Sequence, residues 1–169
     1  MMTPRQVRLS LTVHVVASVG WLGAVAAFLV LAVAGLQSAD AQAVRGLYVA
    51  MDITARWAIV PFAFASLATG IIHSLGTPWG LVRHYWVAAK LAITLVLTVL
   101  LLLHLRPIGH LADVVEATTL ASGELDGLRL QLVAQAAAAL IALVVATMLS
   151  IYKPKGLTPR GWRLQQASR

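Results

Sequence analysis

The sequence predicts an all-α membrane protein, a polytopic four-helix bundle, and three observations carry that reading. The first is composition: 60% of the 169 residues are hydrophobic and 11% are charged, with a mean hydropathy of +0.85, whereas soluble domains carry about 25% charged residues. The second is length. Four apolar runs each exceed the ~18 residues that mark a transmembrane candidate. The third is charge placement. The net charge of +7 comes mainly from the two ends of the chain, beside apolar spans, which points to a membrane surface and lipids rather than to nucleic acid.

The first span is read over 9–36. Arg5 and Arg8 precede it, but the run is too long for a signal-peptide core and no clean cleavage site follows. It carries His14, Ser18 and Trp21, and Gly20, Gly23 and Ala26 offer a small-residue face for helix packing. Ser38 and Asp40 supply turn and N-cap chemistry. The stretch 41–56 reads as an amphipathic lead-in, with Asp52 and Arg56 spaced for an i,i+4 ion pair. The second span follows over 57–75, with Pro61 as a potential kink and His73 near its end. The third span covers 83–105, with Lys90 early and His104 late, and Pro107 and Gly109 close it. An acidic connection from His110 to Gly127 has room for a short surface helix. The fourth span covers 128–151 and carries Gln131, Gln135, Thr147 and Ser150. The tail, 153–169, has five basic residues and no acid; it is expected to lie on an anionic leaflet. The whole chain reads as a single transmembrane domain.

Lysine and arginine counts orient the spans. Eight basic residues fall on the side of both termini and four on the other. That predicts cytoplasmic N- and C-termini in a bacterial-type inner (plasma) membrane. The topology sorts the polar residues into two layers. His14, Ser18, His73, Lys90, Thr147 and Ser150 form the inner one; His104, Gln131, Gln135 and the Asp52–Arg56 pair form the outer one. Lys90 and His104 lie fourteen residues apart, roughly 21 Å along a helix and on nearly the same face.

Cysteine is absent, which excludes disulfides, thiolate ligands and covalent haem attachment. Histidine, methionine and carboxylate remain as ligands. Met1 and Met2 start the chain and Met51 and Met148 are isolated, so no Met-rich copper motif exists. Ionisable groups inside spans mark pathways, relays or cofactors. His14 is the sharpest such signal: an imidazole inside an apolar bundle suits axial ligation of haem. The alternative is an interfacial histidine bonded to a carbonyl or a lipid headgroup. Lys90 is either a snorkelling lysine or a cation for a propionate or substrate carboxylate, and a catalytic group. His104 is a metal-ligand candidate near the other surface, and His73 is a cofactor-binding candidate facing His14 at similar depth.

The run His14-Val-Val-Ala-Ser-Val-Gly-Trp21, the run Tyr85-Trp86-Val-Ala-Ala-Lys90-Leu with His104 fourteen residues on, and Leu47-Tyr48 before the second span carry a resemblance. They resemble the membrane-embedded, haem-associated protoporphyrinogen oxidase family and the copper-resistance D-like membrane domains. The Pro78-Trp-Gly-Leu run and Lys153-Pro-Lys-Gly look most like an uncharacterised group of small bacterial four-helix membrane proteins. The resemblance implies haem b ligated by His14, with Trp21 and Ser18 beside it, Lys90 nearby and a redox role. The family's Leu-Pro-Arg stretch after the tryptophan is replaced here by Phe28-Leu-Val-Leu, so the substrate is not carried over. Two functions are therefore expected first: a haem-binding redox protein, or a non-enzymatic small membrane subunit or transporter-like bundle whose buried polar groups serve packing or ion passage; copper handling ranks third, for want of a Met-rich motif. The small-residue faces are compatible with a monomer or a homodimer.

Overall fold

A computed structural model describes residues 2–77, 80–117, 123–154 and 156–167, with side chains described outside 106–126, 164, 165 and 167. The chain is all-helical, and no strand occurs among these residues. Four helical stretches are long and apolar enough to cross a membrane: Pro4–Gln37, Ala41–Gly76, Tyr85–Leu105 and Gly127–Tyr152.

Helix α1 (Pro4–Gln37) begins five residues earlier than the hydropathy pattern predicts. Thr3 caps it: its hydroxyl accepts from the Gln6 amide, and the Gln6 side chain accepts from the Thr3 backbone, with Pro4 in the first turn. These caps outweigh the polarity of the first turn. Helix α1 buries Ala17, Trp21, Val25, Phe28, Ala32 and Gly35, a seam spaced by threes and fours as interdigitating helices require. Gly20 is needed there, because a Cβ would stand 2.7 Å from the Phe62 ring. Gly23 has nothing within 4 Å, so the expected small-residue face is used at Gly20 and, further along, at Gly35 against Tyr48.

The stretch 41–56 is part of the bundle and not a separate lead-in. Asp40 caps α2 (Ala41–Thr54) by accepting from the Gln42 and Ala43 amides. Val44, Tyr48 and Met51 are fully buried against α1. The apolar face that reads as amphipathic is thus a core face, and only Arg45, Asp52 and their neighbours give it a polar side. The Asp52–Arg56 pair forms as expected, at 2.8 Å. A single wide π turn, Ala55–Ile59, joins α2 to α3 (Val60–Gly76), with the Val60 amide bonded to the Ala55 carbonyl. Pro61 explains it: proline donates nothing to the carbonyl four residues back and its ring presses on it, and the wider turn absorbs both effects.

Helix α4 (Tyr85–Ala117) does not close at Pro107 and Gly109; it continues well past both. Helix α5 starts at Gly123 and runs to Tyr152. The acidic connection is therefore largely an extension of these two helices, and the charged side chains predicted there, with His110, lie outside the described residues, as does Trp79. Helix α1 packs on α2–α3 and α5, and α4 packs on the other side of both, so the four apolar stretches close a ring. The core of Trp21, Phe28, Tyr48, Met51, Leu132 and Leu143 fills its middle. Valines, leucines and isoleucines cover the outside, with Val30, Leu103, Ile141 and Ile151 all more than 60% exposed; lipid is the solvent that tolerates such a face.

One end of the bundle is tied together. The Met2 amide donates to the Gly76 carbonyl. At the end of α5, Lys153 adopts a left-handed backbone (φ 41°) and reverses the chain. The tail is not only a basic extension: it forms α6 (Pro159–Ala167), seated on the α3–α4 connection. Thr158 holds it there, donating from its hydroxyl to the Val82 carbonyl and from its amide to the Arg83 carbonyl. Gly161 has no side chain because Arg83's carbonyl occupies that space. Arg160, Trp162 and Arg163 face outward.

Candidate functional site

Between α1, α3, α4 and α5, at the end where the termini meet, lies a cavity of about 610 Å³, within the ~300–1,000 Å³ typical of cofactor and ligand sites. It is mostly apolar, and its polar lining includes all six residues that the sequence placed in one layer. His14, Ser18 and Trp21 come from α1, His73 from α3, Lys90 from α4, and Thr147 and Ser150 from α5. The helical register brings them together: Ser18 lies one turn beyond His14, and Trp21 anchors that face in the core at 2% exposure.

His14 is held by α3. Its Nδ1 lies 3.1 Å from the Ser66 carbonyl and 3.2 Å from the Thr69 hydroxyl. A carbonyl can only accept, and the Thr69 proton goes to the Ala65 carbonyl at 2.5 Å. Nδ1 therefore carries the hydrogen, and Nε2 keeps its lone pair on the side of the ring away from those acceptors. Gly70 lets the ring approach α3 this closely, since a Cβ there would stand 3.0 Å from Cε1. The Ser18 and Ser66 hydroxyls bond each other at 2.8 Å next to it. His73, further along α3, is bonded through Nδ1 to the Ser10 hydroxyl at 2.8 Å, and that hydroxyl reaches the Val7 carbonyl at 3.0 Å.

Lys90 does not snorkel away from the bundle. Its Nζ donates to the Ser150 hydroxyl at 2.9 Å and stands 5.0 Å from the centre of the Trp86 ring. Both partners are neutral, so neither supplies a countercharge to the ammonium at the cavity wall.

His104 is elsewhere. It lies on the far side of the bundle, where Nδ1 donates to the Leu100 carbonyl at 2.6 Å and the Gln135 amide donates to Nε2 at 2.7 Å. Both ring nitrogens are committed, and Gln131 is exposed rather than part of that pair. His14 and His104 are thus separate, and no cluster of three or more histidine, aspartate and glutamate side chains of metal-binding kind occurs among the described residues.

Ser66, Gly70, Ser74, Thr77 and Thr94 line the cavity and were missed by the sequence reading, as was Thr69, which meets His14 behind the wall. The signal was present: Ser66, Thr69, Gly70 and His73 recur at three- and four-residue spacing along α3, which places them on one face. Lys153 also lines the cavity, although the sequence assigns it to the tail. No protein-family model, no characterised protein and no solved structure matches this chain.

Proposed function

We propose that the chain is a multi-pass membrane protein that binds haem b in this cavity and serves a redox or electron-transfer role. The observation that supports this best is the state of His14. Ligating histidines characteristically donate their other ring N–H to a carbonyl or carboxylate, which fixes the tautomer and aims the free nitrogen. The Ser66 carbonyl does this to His14, and the ring borders a cavity of suitable size. The remaining lining fits the same group: apolar side chains for a porphyrin face, and the Lys90 ammonium for a propionate. His14 would hold the iron and Lys90 a carboxylate; His73, bonded to Ser10 on the same α1–α3 wall, is a second cofactor-binding candidate. His104 fits poorly, because binding a metal would break both of its bonds. Bound haem would supply one-electron chemistry. The side chains around it would exclude water and fix the orientation of the ring. The basic residues gathered at the terminal end favour placing that end, and the site, on the cytoplasmic side of a bacterial-type membrane.

The experiment is a visible absorption spectrum of the detergent-purified protein, before and after haemin titration. A Soret band saturating at a fixed stoichiometry is expected. A preparation that stays colourless and takes up no haemin refutes the reading. It would leave the second expected function, a packing or ion-passage bundle, for which the Lys90–Ser150 bond between two spans is the supporting observation.

A further inference from the structure

The cavity has an opening, and its rim identifies where it lies. Among its lining residues, those from α3 and α4 are buried or half-buried, whereas the exposed ones are Leu11, Val15 and Val19 on α1 and Thr147, Ile151 and the adjoining Lys153 on or just past α5. The gap therefore lies between α1 and the end of α5 and faces sideways. On α1 the rim runs from Leu11 to Val19, eight residues or about 12 Å along the helix, so the gap lies within the apolar stretch that follows Arg8. A molecule entering there comes from the bilayer and not from water.

The charge of the cavity says what kind of molecule. The described residues that line it include Lys90 and Lys153 and no aspartate or glutamate. The Lys90 ammonium meets a hydroxyl and an indole ring. A cation at the wall of an apolar cavity is costly unless an anion faces it. The rim, in contrast, is aliphatic at Leu11, Val15, Val19 and Ile151, with Thr147 beside them and Lys153 at its outer end. An apolar entrance leading to a cationic end suits a long apolar body that carries one anionic head.

We propose that the α1–α5 gap is a lateral portal through which a membrane-dissolved amphiphile with an anionic head, a carboxylate or phosphate monoanion, enters and binds with its head at Lys90. The inference uses the shape and charge of the cavity and not iron chemistry, so it stands apart from the haem proposal. Haem, an apolar ring bearing carboxylates, is one molecule the same route admits.

The test uses the full chain in phosphatidylcholine nanodiscs with a diazirine-bearing fatty acid as the probe. Photolabelling is expected to concentrate at Leu11, Val15, Val19 and Ile151 over other lipid-facing residues such as Leu103 and Ile141. Oleate is expected to compete about tenfold better than oleyl alcohol, the effect of one charge-assisted hydrogen bond, and Lys90→Gln to abolish that difference. Val15→Phe narrows the gap from the lipid side without touching the core, and is expected to lower labelling at Val19 and Ile151 with helicity unchanged. Labelling spread evenly over the lipid-facing surface, equal competition by acid and alcohol, or labelling undiminished in Val15→Phe would each overturn the proposal. A haem-free preparation with the expected labelling keeps the portal and removes haem; a haem-bearing one in which labelling is even does the reverse.

Discussion

Replacing Gly70 with alanine tests whether the cavity wall is built around His14. The new Cβ would stand 3.0 Å from Cε1 and 3.4 Å from Nδ1 of the imidazole. Comfortable carbon–carbon contact begins near ~3.5 Å, so the ring must retreat by roughly 0.5 Å. Ser66 and Gly70 both lie on α3, so a ring that backs away from one backs away from the other. The 3.1 Å bond to the Ser66 carbonyl then stretches towards ~3.6 Å, where it no longer counts as a hydrogen bond. The lost bond costs about 1 kcal/mol and the crowding about 1 kcal/mol more. Alanine's better helix propensity offsets about 1 kcal/mol of this. Gly70→Ala alone is therefore expected to destabilise the protein by about 1 kcal/mol. In a His14→Ala background only the propensity gain remains, and the same substitution is expected to stabilise by about 1 kcal/mol. The coupling between the two sites is then roughly 2 kcal/mol. Equilibrium unfolding of the four proteins in mixed dodecylmaltoside–SDS micelles, followed by circular dichroism, measures it. An effect of Gly70→Ala that is equal in both backgrounds would refute the contact geometry on which the position of His14 rests.

Three further outcomes are expected. Gly161→Val drives a side chain into the Arg83 carbonyl and should unseat α6, so trypsin should cut after Arg160 and Arg163 about tenfold faster, a loss of ~1.4 kcal/mol of local protection; an unchanged rate contradicts the docking through Thr158. Asp52→Asn breaks an ion pair that is 49% exposed on its arginine side, and unfolding midpoints should register no more than ~0.5 kcal/mol, shrinking as salt is raised. A cost above ~2 kcal/mol would mean the pair is far less solvated than its exposure indicates. Gln135→Leu removes the donor to His104 Nε2 and is expected to cost about 1 kcal/mol in the same unfolding assay while leaving any haem spectrum untouched; a changed spectrum would bring His104 back as a ligand.

The helices themselves were legible because hydrophobic runs longer than a bilayer have few alternatives. The grouping of His14, Ser18, His73 and Lys90 at one end was legible too, since alternating span directions convert sequence position into depth. Helix limits were less so. Capping by Thr3 moved the start of α1, and the run of α4 through Pro107 shows that one missing donor does not by itself stop a helix. The role of 41–56 was obscured by three charged residues, which mark the outer side of a helix whose inner side holds Tyr48 and Met51. Tertiary partners were the least legible part. Nothing in the local sequence says that the Ser66 carbonyl holds His14, or that Gln135 occupies His104. Both bonds join residues tens of positions apart and depend on which helix faces meet. The α6 seat depends likewise on Thr158 meeting a loop more than seventy residues earlier.

The most direct measurement is the visible spectrum of the protein purified from the membrane as wild type, His14→Ala and His104→Ala, with folding of each verified by circular dichroism. A Soret band present in the wild type, retained in His104→Ala and lost in His14→Ala is the expected result. A band that survives in His14→Ala, or vanishes only in His104→Ala, would contradict a haem site at the terminal end of the bundle.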